Sequence, residues 1–598
     1  MHVRKISLAV ALALTTLSAS AVQPQPTTTV KIIAINDFHG NLNSPGNFNG
    51  KPSGGVDALA GYVADLKSKN PHSVVVSAGD MIGASPLVSA LFHDEGTIET
   101  MNRLGLDFNA VGNHEFDEGR SELMRMQHGG CHPTDANSCQ GAVVGTPVPF
   151  EGARFKFLAA NVVDTATGDT VFPGYKVKKF RAEKEHEHDE DEHEKGEHED
   201  DEVRVAFIGM TLKETPSIVT PAGVAGLQFK DEAATVNALV PKLRKRGVEA
   251  VVVLIHQGGA QTTPPSPPDI NGCVGGLNGS PIRNIVAQLD DEVDLVISGH
   301  THQAYNCLLP NKAGRNIPVT SANAFGRVLT DIDMTIDSNS GEVVSVSASN
   351  VVVDRSNPAI TPSASIKSIV DQYNTLVSPI AGQVIGSITM DATNVSNASG
   401  EMDAGALIAD AQLAATAPAQ FGGAQIAFMN AGGVRSPGFV FNQISAGEAA
   451  GDVTYGEAFT VQPFGNSLVT MTLTGQQIKD VLEQQFPGCM GQSRQRIMQV
   501  SNGFSYAWSE SAPACGKISN MRLNGAAIDP AAGYRVTVNN FMATGGDGFG
   551  VLVNGTNQLG GAQDIDALVA YMAGFKSPNA PYSPVDASLH KPRITKLP

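Results

Sequence analysis

The sequence has few charged residues, a single tryptophan and, beyond its first residues, no long apolar segment. Asp, Glu, Lys and Arg make up 17% of the 598 residues, while hydrophobic residues reach 41%, which favours well-buried globular domains. After the start of the chain there is no run of ~18 apolar residues, the length of a membrane-spanning helix. A chain of 598 residues is too long to fold around a single hydrophobic core, so we expect two or more domains.

The sequence also lacks a CxxC pair, so a thiolate metal site is not favoured. Its six cysteines are an even number, which in an oxidising compartment indicates disulfides. Several connectivities are open, and free buried thiols are the alternative. Pairing of sequence neighbours is the simplest choice, and it predicts Cys131–Cys139, Cys273–Cys307 and Cys489–Cys515.

The first residues have the pattern of a signal peptide. A basic start precedes the apolar run Ile6 to Leu17, and Ala19-Ser20-Ala21 resembles a small-residue cleavage site. We therefore expect residues 1–21 to be removed and the mature protein to be periplasmic or secreted. The last residues lack the apolar tail of a lipid-anchor signal, so no membrane anchor is expected.

Negative charge is concentrated in one segment, residues 183–202. Thirteen acidic residues and two lysines give it a charge of −11 within a total of −18. The acidic balance opposes binding of a nucleic acid polymer, although most of the chain is much less acidic than the total implies. Without apolar side chains the segment should be a surface loop. Its four histidines, His186, His188, His193 and His198, could bind Zn²⁺ or Ni²⁺ loosely or could be incidental.

Short β-rich apolar runs alternate with helical patterns, which is typical of an α/β fold. The runs are Val30–Ile35, Val74–Val76, Val203–Ile208, Ala250–Ile255 and Val293–Ile297. Helical spacing is found at Asp57–Lys69 and Leu87–Leu104. Two further strands, Leu329–Ile336 and Val343–Val353, close a first domain that we place at residues 22–355.

A second domain is predicted after a linker at residues 356–385, in which Ile366 to Val377 has helical spacing. We expect a smaller α+β domain at residues 386–577, with a helix around Gly405–Ala411, and a C-terminal tail at residues 578–598.

Four of these apolar runs, and the further run Phe108–Val111, are followed by side chains that bind metal ions. The clusters are Asp37-x-His39, Gly79-Asp80, Asn113-His114-Glu115, His256 and His300-x-His302. A single histidine at a strand end is more often structural, but five clusters in this order indicate a metal site. Carboxylate, imidazole and amide oxygen together suit zinc, manganese, cobalt or iron. Two such ions can clamp a phosphoryl group, so phosphoester hydrolysis is the expected chemistry.

These motifs resemble those of a known family. DFHG, GDMIG, GNHEFD and GHTH are similar to the calcineurin-like metallophosphoesterases. NAGGVR, VQPFGNS and NNFMATGGDGF resemble the exported 5′-nucleotidase/UDP-sugar hydrolase branch. The resemblance covers nearly all of the mature chain. It implies a metallophosphoesterase β-sandwich flanked by helices, joined by a linker helix to an α+β substrate-specificity domain.

The resemblance also implies the roles of residues in the first domain. Two divalent ions would be bound, the first by Asp37, His39 and His302 and the second by Asn113, His256 and His300, with Asp80 between them. His114 would stabilise the transition state or leaving group, and Asp117 would orient and charge His114. The alternative for Asp117 is a helix cap.

In the second domain the resemblance implies a base stacked between Phe464 and Phe541 and a ribose bound by Asp547. Asn430 and Arg435 would contact base or phosphate. Without the resemblance, both phenylalanines would be read as core residues. Some relatives carry a phosphate-binding arginine at the segment Gly400–Leu407, where this chain has none. The resemblance further implies a rotation of one domain against the other.

We therefore expect an exported, monomeric hydrolase that removes phosphate from nucleoside 5′-monophosphates, with UDP-sugars and other nucleotides as further candidate substrates. One alternative is a 2′,3′-cyclic-nucleotide phosphodiesterase/3′-nucleotidase. Another, from a different class, is a non-catalytic surface protein that binds nucleotides or metals.

Overall fold

A computed structural model describes residues 26–181, 202–219, 221–262, 267–445, 447–586 and 592–598 of the chain. The expected signal peptide, and the acidic segment apart from Glu202, lie outside the described residues. Among the described residues, no helix has the length and apolar character needed to cross a membrane.

The first domain contains two six-stranded sheets. Across the first sheet the strands are Val343–Val352, Val328–Asp337, Thr27–Ile35, Ser73–Ser77, Phe108–Ala110 and Lys156–Leu158. Across the second sheet they are Ala304–Pro310, Asn316–Ala322, Leu295–Ser298, Ala250–His256, Glu202–Thr211 and Tyr175–Arg181. The predicted apolar runs therefore form strands, with ends that differ from the prediction by a few residues.

The two sheets pack face to face. Val30, Ile32 and Ala34 from the first sheet share a buried cluster with Val252 and Leu254 from the second. In each sheet four neighbouring strands are parallel, as shown by the pairings of Thr27–Ile35 with Ser73–Ser77 and of Ala250–His256 with Leu295–Ser298. The carboxyl ends of the parallel strands consequently lie along one edge of each sheet.

Helices cover the outer faces of both sheets, because alternate residues of each buried strand point outward and are also apolar. Ile33 and Val75 pack against the helices Val56–Ser68 and Glu95–Leu104 on one side. Val251 and Val253 pack against helix Glu232–Arg244 on the other. The remaining helices of this domain are Leu87–Ala90, Arg120–His128, Gly141–Val144 and Pro281–Val286. The predicted sandwich flanked by helices is confirmed.

The single helix predicted at Leu87–Leu104 is wrong. The structure has two helices, Leu87–Ala90 and Glu95–Leu104, separated by His93 and Asp94 with φ of 53° and 57°. Left-handed backbone ends a helix. The Asp94 carboxylate stabilises the break by accepting hydrogen bonds from Ser89 Oγ (2.6 Å) and the backbone N–H of Gly83 (3.0 Å).

The second domain is α+β, as predicted. Its five-stranded sheet contains Gln499–Val500, Ile426–Met429, Gly533–Asn539, Ser467–Thr474 and Thr556–Gln563. Helices Asp403–Thr416, Tyr455–Val461, Gly475–Glu483, Asn540–Ala543 and Asp564–Met572 accompany it. The linker helix is Ala364–Ala381, and its buried residues Ile366, Ile369 and Tyr373 belong to the core of the first domain.

The last residues of the chain are not a free tail. Strand Ile594–Leu597 pairs in parallel with Phe504–Ser509 in a four-stranded sheet that also contains Ile518–Leu523 and Ala526–Ala527. Arg593 is 3% exposed, and its two terminal nitrogens donate to both carboxylate oxygens of Asp410 at 2.9 and 2.7 Å. This bidentate pair fastens the end of the chain to helix Asp403–Thr416.

The three predicted disulfides are present: Cys131–Cys139, Cys273–Cys307 and Cys489–Cys515. Each closes a loop within one domain, and the first two lie in the first domain.

We expect Arg593→Met to destabilise the second domain strongly. Removing one partner of a buried ion pair leaves the Asp410 carboxylate uncompensated and costs about 3 to 5 kcal/mol. Trp508, the single tryptophan, is buried in this domain, so its fluorescence during urea unfolding measures the loss. Arg522→Met, at an exposed arginine of the same domain, is the control. Equal unfolding midpoints for the two variants would contradict the prediction.

Candidate active site between the two domains

All seven residues predicted to bind metal lie together at the carboxyl ends of the parallel strands. Five of them are in the left-handed backbone region, with φ of 49° for Asp37, 47° for His39, 50° for Asp80, 71° for His300 and 55° for His302. Such conformations cost about 1 to 3 kcal/mol each in non-glycine residues and persist where the surrounding structure enforces them. They turn each chain sharply as it leaves its strand and direct the side chains to one point.

The first group of donor atoms consists of Asp37, His39 and His302, which lie within 4.8 Å of one another. The Nε2 atoms of the two histidines are 3.1 Å apart, and His302 Nε2 is 3.5 Å from Asp37 Oδ1. The backbone N–H of His300 donates to the Asp37 carboxylate at 2.9 Å and fixes its position.

The second group consists of Asp80, His256 and His300, also within 4.8 Å of one another. His256 Nε2 is 2.9 Å from Asp80 Oδ2. The amide oxygen of Asn113 lies 3.2 Å from His256 Nε2 and 3.1 Å from His300 Nδ1. Asp80 Oδ2 is in addition 3.6 Å from His39 Nε2, so this carboxylate lies between the two groups.

Backbone carbonyls orient two of the imidazoles. His39 Nδ1 is 2.8 Å from the carbonyl oxygen of Gly83, and His256 Nδ1 is 2.8 Å from that of Ala78. A carbonyl can only accept, so Nδ1 carries a proton in both imidazoles, and Nε2 is the ring atom that faces the other donor residues. Metal-binding histidines are held by hydrogen bonds of this kind.

The electrostatics of this buried cluster favour a cation. Burial lowers the pKa of His39 to about 3, which keeps its imidazole in the neutral form that binds metals. Burial also opposes protonation of His256, but Asp80, Asp37 and Glu115 outweigh it and raise the His256 pKa to about 10. The carboxylates thus draw positive charge into a site that is largely buried. The donor set and the charge fit two divalent ions.

Glu115 supports this cluster without reaching the cavity, and its role was not predicted from the sequence. The buried carboxylate accepts four hydrogen bonds, from the backbone N–H groups of Asp80 (3.0 Å), Met81 (2.9 Å) and Gly112 (2.7 Å) and from Asn109 Nδ2 (3.0 Å). A Cβ on Gly112 would overlap the Asp80 carboxylate. Glu115 therefore joins two strand ends at the position where Asp80 leaves its strand.

His114 and Asp117 form a pair beside the cluster. His114 Nδ1 is 2.8 Å from Asp117 Oδ2, on the short helical turn His114–Phe116 and the residue after it. Burial opposes protonation of His114, but Asp117 and Asp80 outweigh it and raise its pKa. Since Nδ1 is engaged by Asp117, Nε2 is the atom of His114 that remains for a ligand. Asp117 also accepts the N–H of Ala84 at 3.1 Å.

One cavity brings residues of both domains together. From the first domain it is lined by Asn113, His114, Asp117, Ile218, Val219 and His300. From the second domain it is lined by all five residues predicted to bind substrate, namely Asn430, Arg435, Phe464, Phe541 and Asp547. The Phe464 ring is nearly parallel to the His114 imidazole, with centroids 5.8 Å apart, and the Arg435 guanidinium lies 5.6 Å from the centre of the Phe464 ring.

Asp547 is the centre of a hydrogen-bond network in the second domain. Its carboxylate accepts from Asn430 Nδ2 at 2.8 Å and pairs with Arg496 Nη1 at 2.5 Å. Asn539 Nδ2 in turn donates to Asn430 Oδ1 at 3.0 Å. Asp547 has φ of 57°, another left-handed residue at the cavity.

Besides Gly432 and Gly433, four cavity residues of the second domain were missed from the sequence: Asn466, Arg494, Arg496 and Asn539. The two arginines belong to the segment SRQR, which matches none of the motifs that carried the resemblance. For these two residues the available signal was a pair of arginines close together in an acidic protein, whereas Asn466 and Asn539 stand inside the motifs VQPFGNS and NNFMATGGDGF.

A β-sandwich with carboxylate, imidazole and amide donors at its strand ends, covered by a second domain that closes a cavity over them, is the architecture of a metallophosphoesterase. Comparison with known families agrees. The calcineurin-like phosphoesterase model matches residues 30–304, and the model of the 5′-nucleotidase C-terminal domain matches residues 384–554. The chain belongs to the family that joins these two domains, and the resemblance inferred from the motifs is confirmed.

Similarity to several individual proteins extends over most of the chain. The chain is 31% identical to Endonuclease YhcR of Bacillus subtilis over 92% of its own length and 40% of that protein, so it spans less than half of this relative. It is 24% identical to human 5′-nucleotidase over 91% of this chain and 88% of the other. The crystal structure of a 5′-nucleotidase precursor from Thermus thermophilus is 26% identical, with a TM-score of 0.71 over 95% of this chain and 99% of that one.

We expect Glu115→Gln to loosen the Asp80 turn. A glutamine has one acceptor oxygen, so N–H groups that now donate to the carboxylate would lose their partner, at a cost of about 1 to 3 kcal/mol each. Hydrogen exchange of the Asp80, Met81 and Gly112 amides should become faster. Glu118→Gln is the matched control, because Glu118 lies just after this helical turn and its carboxylate contacts His93 instead. Unchanged exchange in Glu115→Gln would show that this carboxylate does not hold the turn.

Proposed function

We propose that this protein is a metal-dependent phosphohydrolase that removes phosphate from nucleoside 5′-monophosphates. The observation that carries the proposal is the cavity in which the donor residues Asn113 and His300 and the His114–Asp117 pair meet two aromatic rings, a buried carboxylate and an arginine of the second domain. A phosphate needs positive charge, a ribose needs a hydrogen-bond acceptor and a base needs a flat apolar surface. The cavity offers all three.

The seven donor residues described above would hold two divalent ions of zinc, manganese, cobalt or iron. Such ions would act as Lewis acids, because their positive charge polarises a phosphoryl group. The protein's own part is to fix the donors, through the carbonyls of Gly83 and Ala78 and through the backbone N–H groups that hold Asp37 and Asp80.

His114 would act on the phosphate directly. With Nδ1 bound to Asp117, its Nε2–H can donate to a phosphate oxygen or to the leaving oxygen of the ester, where negative charge develops. Asp117 keeps this tautomer and favours the charged form. Arg435, which lies over the Phe464 ring on the same side of the cavity, adds a second cation for the phosphate.

The second domain would select the nucleotide. Phe464 and Phe541 are both half-buried, so each offers a ring face for stacking with a base, which is worth about 1 to 3 kcal/mol per base in single-strand binders. Asp547, held by Asn430 and Arg496, would accept hydrogen bonds from the ribose hydroxyls. Stacking tolerates different bases, so cleavage of other nucleotides, including UDP-sugars, belongs to the proposal.

We further propose that the protein works in the periplasm or outside the cell. Three disulfides require an oxidising compartment, and the start of the chain has the pattern of an export signal.

A substrate panel tests the proposed activity. We expect the highest kcat/KM for 5′-AMP among 5′-AMP, 3′-AMP, 2′,3′-cAMP and UDP-glucose, measured with Mn²⁺, Co²⁺ or Zn²⁺. A chelator should abolish activity, and fresh metal should restore it. Faster hydrolysis of 2′,3′-cAMP or 3′-AMP would favour the cyclic phosphodiesterase alternative. Binding of nucleotides without hydrolysis of any of them would leave a non-catalytic protein.

Alanine at His114 should lower kcat for 5′-AMP by about 10²- to 10⁴-fold, the range for loss of a proton-donating group. Metal content and melting temperature should stay near those of the wild type, because the His114 imidazole is not among the grouped donors. His128→Ala, at an exposed histidine of helix Arg120–His128, is the matched control. Normal turnover in His114→Ala would remove this residue from the mechanism.

A further inference from the structure

The peptide unit between Gly83 and Ala84 connects two functional groups of the site. Its carbonyl oxygen accepts a hydrogen bond from His39 Nδ1 at 2.8 Å, and its N–H, which belongs to Ala84, donates to Asp117 Oδ2 at 3.1 Å. The same Asp117 oxygen is 2.8 Å from His114 Nδ1. Since a peptide unit is planar and stiff, one rigid plane joins a metal-donor imidazole to the imidazole placed on the phosphate. Hydrogen bonds at its two ends also polarise each other.

The turn that contains this peptide is tight and left-handed. Gly83 has φ of 80° and Ala84 has φ of 47°, a region that an alanine adopts only where its surroundings enforce it. A Cβ on Gly83 would lie 2.2 Å from the carbonyl oxygen of His114, so the backbone of the turn packs directly against the His114 segment. Contacts from outside the turn must therefore keep it in this conformation.

Asp94, in the break between the two helices described above, supplies such a contact. Its Oδ2 accepts the backbone N–H of Gly83 at 3.0 Å, and its Oδ1 accepts from Ser89 Oγ at 2.6 Å. The side chain is buried, and a Cβ on Gly40, the residue after His39, would come within 2.8 Å of Asp94 Oδ1. The carboxylate therefore contacts both the turn to which His39 is hydrogen-bonded and the segment that carries His39.

We propose that Asp94 is a positioning residue for the proposed hydrolysis. By holding the N–H of Gly83 it fixes the orientation of the next peptide unit, and that unit orients His39 at one end and the Asp117–His114 pair at the other. Hydrogen-bonding groups behind metal-donor residues typically change metal affinity or activity by about 10- to 100-fold when they are removed. The part of this inference that concerns turnover rests on the proposed function.

Asp94→Gly is the test variant, because glycine accepts the φ of 57° found here, and the substitution removes the carboxylate without straining the break. In full-length protein, the affinity for Mn²⁺, measured from the EPR signal of the free ion, should fall by about 10- to 100-fold. The kcat for 5′-AMP at saturating Mn²⁺ should fall by a factor of the same order, about 10 to 100. Hydrogen exchange of the Ala84 amide should become faster. Asp94→Asn keeps one acceptor oxygen and should restore most of each loss.

His93→Gly is the matched control. His93 is the other left-handed residue of the break, with φ of 53°, but its imidazole contacts Glu118 and Asp135. Its Mn²⁺ affinity and Ala84 exchange should equal those of the wild type. A lower melting temperature in Asp94→Gly, with all three quantities unchanged, would make Asp94 a purely structural residue and overturn the inference. Weaker Mn²⁺ binding with normal kcat at saturating Mn²⁺ would overturn the shared role.

The two proposals can fail separately. If wild-type protein hydrolyses none of the nucleotides, the proposed function fails. Mn²⁺ affinity and Ala84 exchange in Asp94→Gly then decide the inference without any reference to turnover. Weaker binding together with faster exchange would support the role of Asp94 in holding the peptide, and wild-type values for either would overturn it.

Discussion

The structure depends on keeping two carboxylates and four imidazoles in van der Waals reach of one another inside the protein. Burying such groups is expensive unless each is oriented and compensated. Here the orientation comes from the backbone, because five of the donor residues adopt left-handed conformations directly after strands. The parallel strands place these turns along one edge of each sheet, and the two sheets pack so that both edges meet. The β-sandwich thus fixes the backbone positions that offset the free-energy cost of burying several histidines together.

Much of this frame could be predicted from the sequence, because buried parallel strands are continuous apolar runs and the residues that follow them are polar. The apolar runs that end before Asp37, Asp80 and Asn113 predicted the strands, and the residues that follow these runs predicted part of the metal-binding group. The break at His93 and Asp94 was not visible, because apolar periodicity continues across it and the stabilising Asp94 contacts involve Gly83 and Ser89. Apolar periodicity indicates which residues are buried. It does not indicate where the backbone changes to a left-handed conformation.

Two of the unpredicted contacts join residues that are distant in the sequence. Arg593 pairs with Asp410, and Arg496 pairs with Asp547, so neither contact can be read from local patterns. Glu115 is different, since it lies inside the most informative motif of the chain. Its residue type suggested a ligand, but its carboxylate accepts hydrogen bonds from four N–H groups, and Glu115 does not line the cavity. A motif identifies the residues that matter, and the hydrogen-bond partners decide what each one does.

The way the linker is packed restricts how the two domains could move. Helix Ala364–Ala381 buries its apolar face in the core of the first domain, whereas the next strand, Val384–Ser387, pairs with Asp452–Thr454 of the second. A rotation would therefore take place around residues 382 and 383. Tyr455 and Phe459 of the second domain pack against the same core, so rotation also has to release them. A rotation that moves Phe464 away from His114 thus also breaks the apolar contacts of Tyr455 and Phe459 with the core of the first domain. Opening of the site would therefore be coupled to the packing around the linker helix.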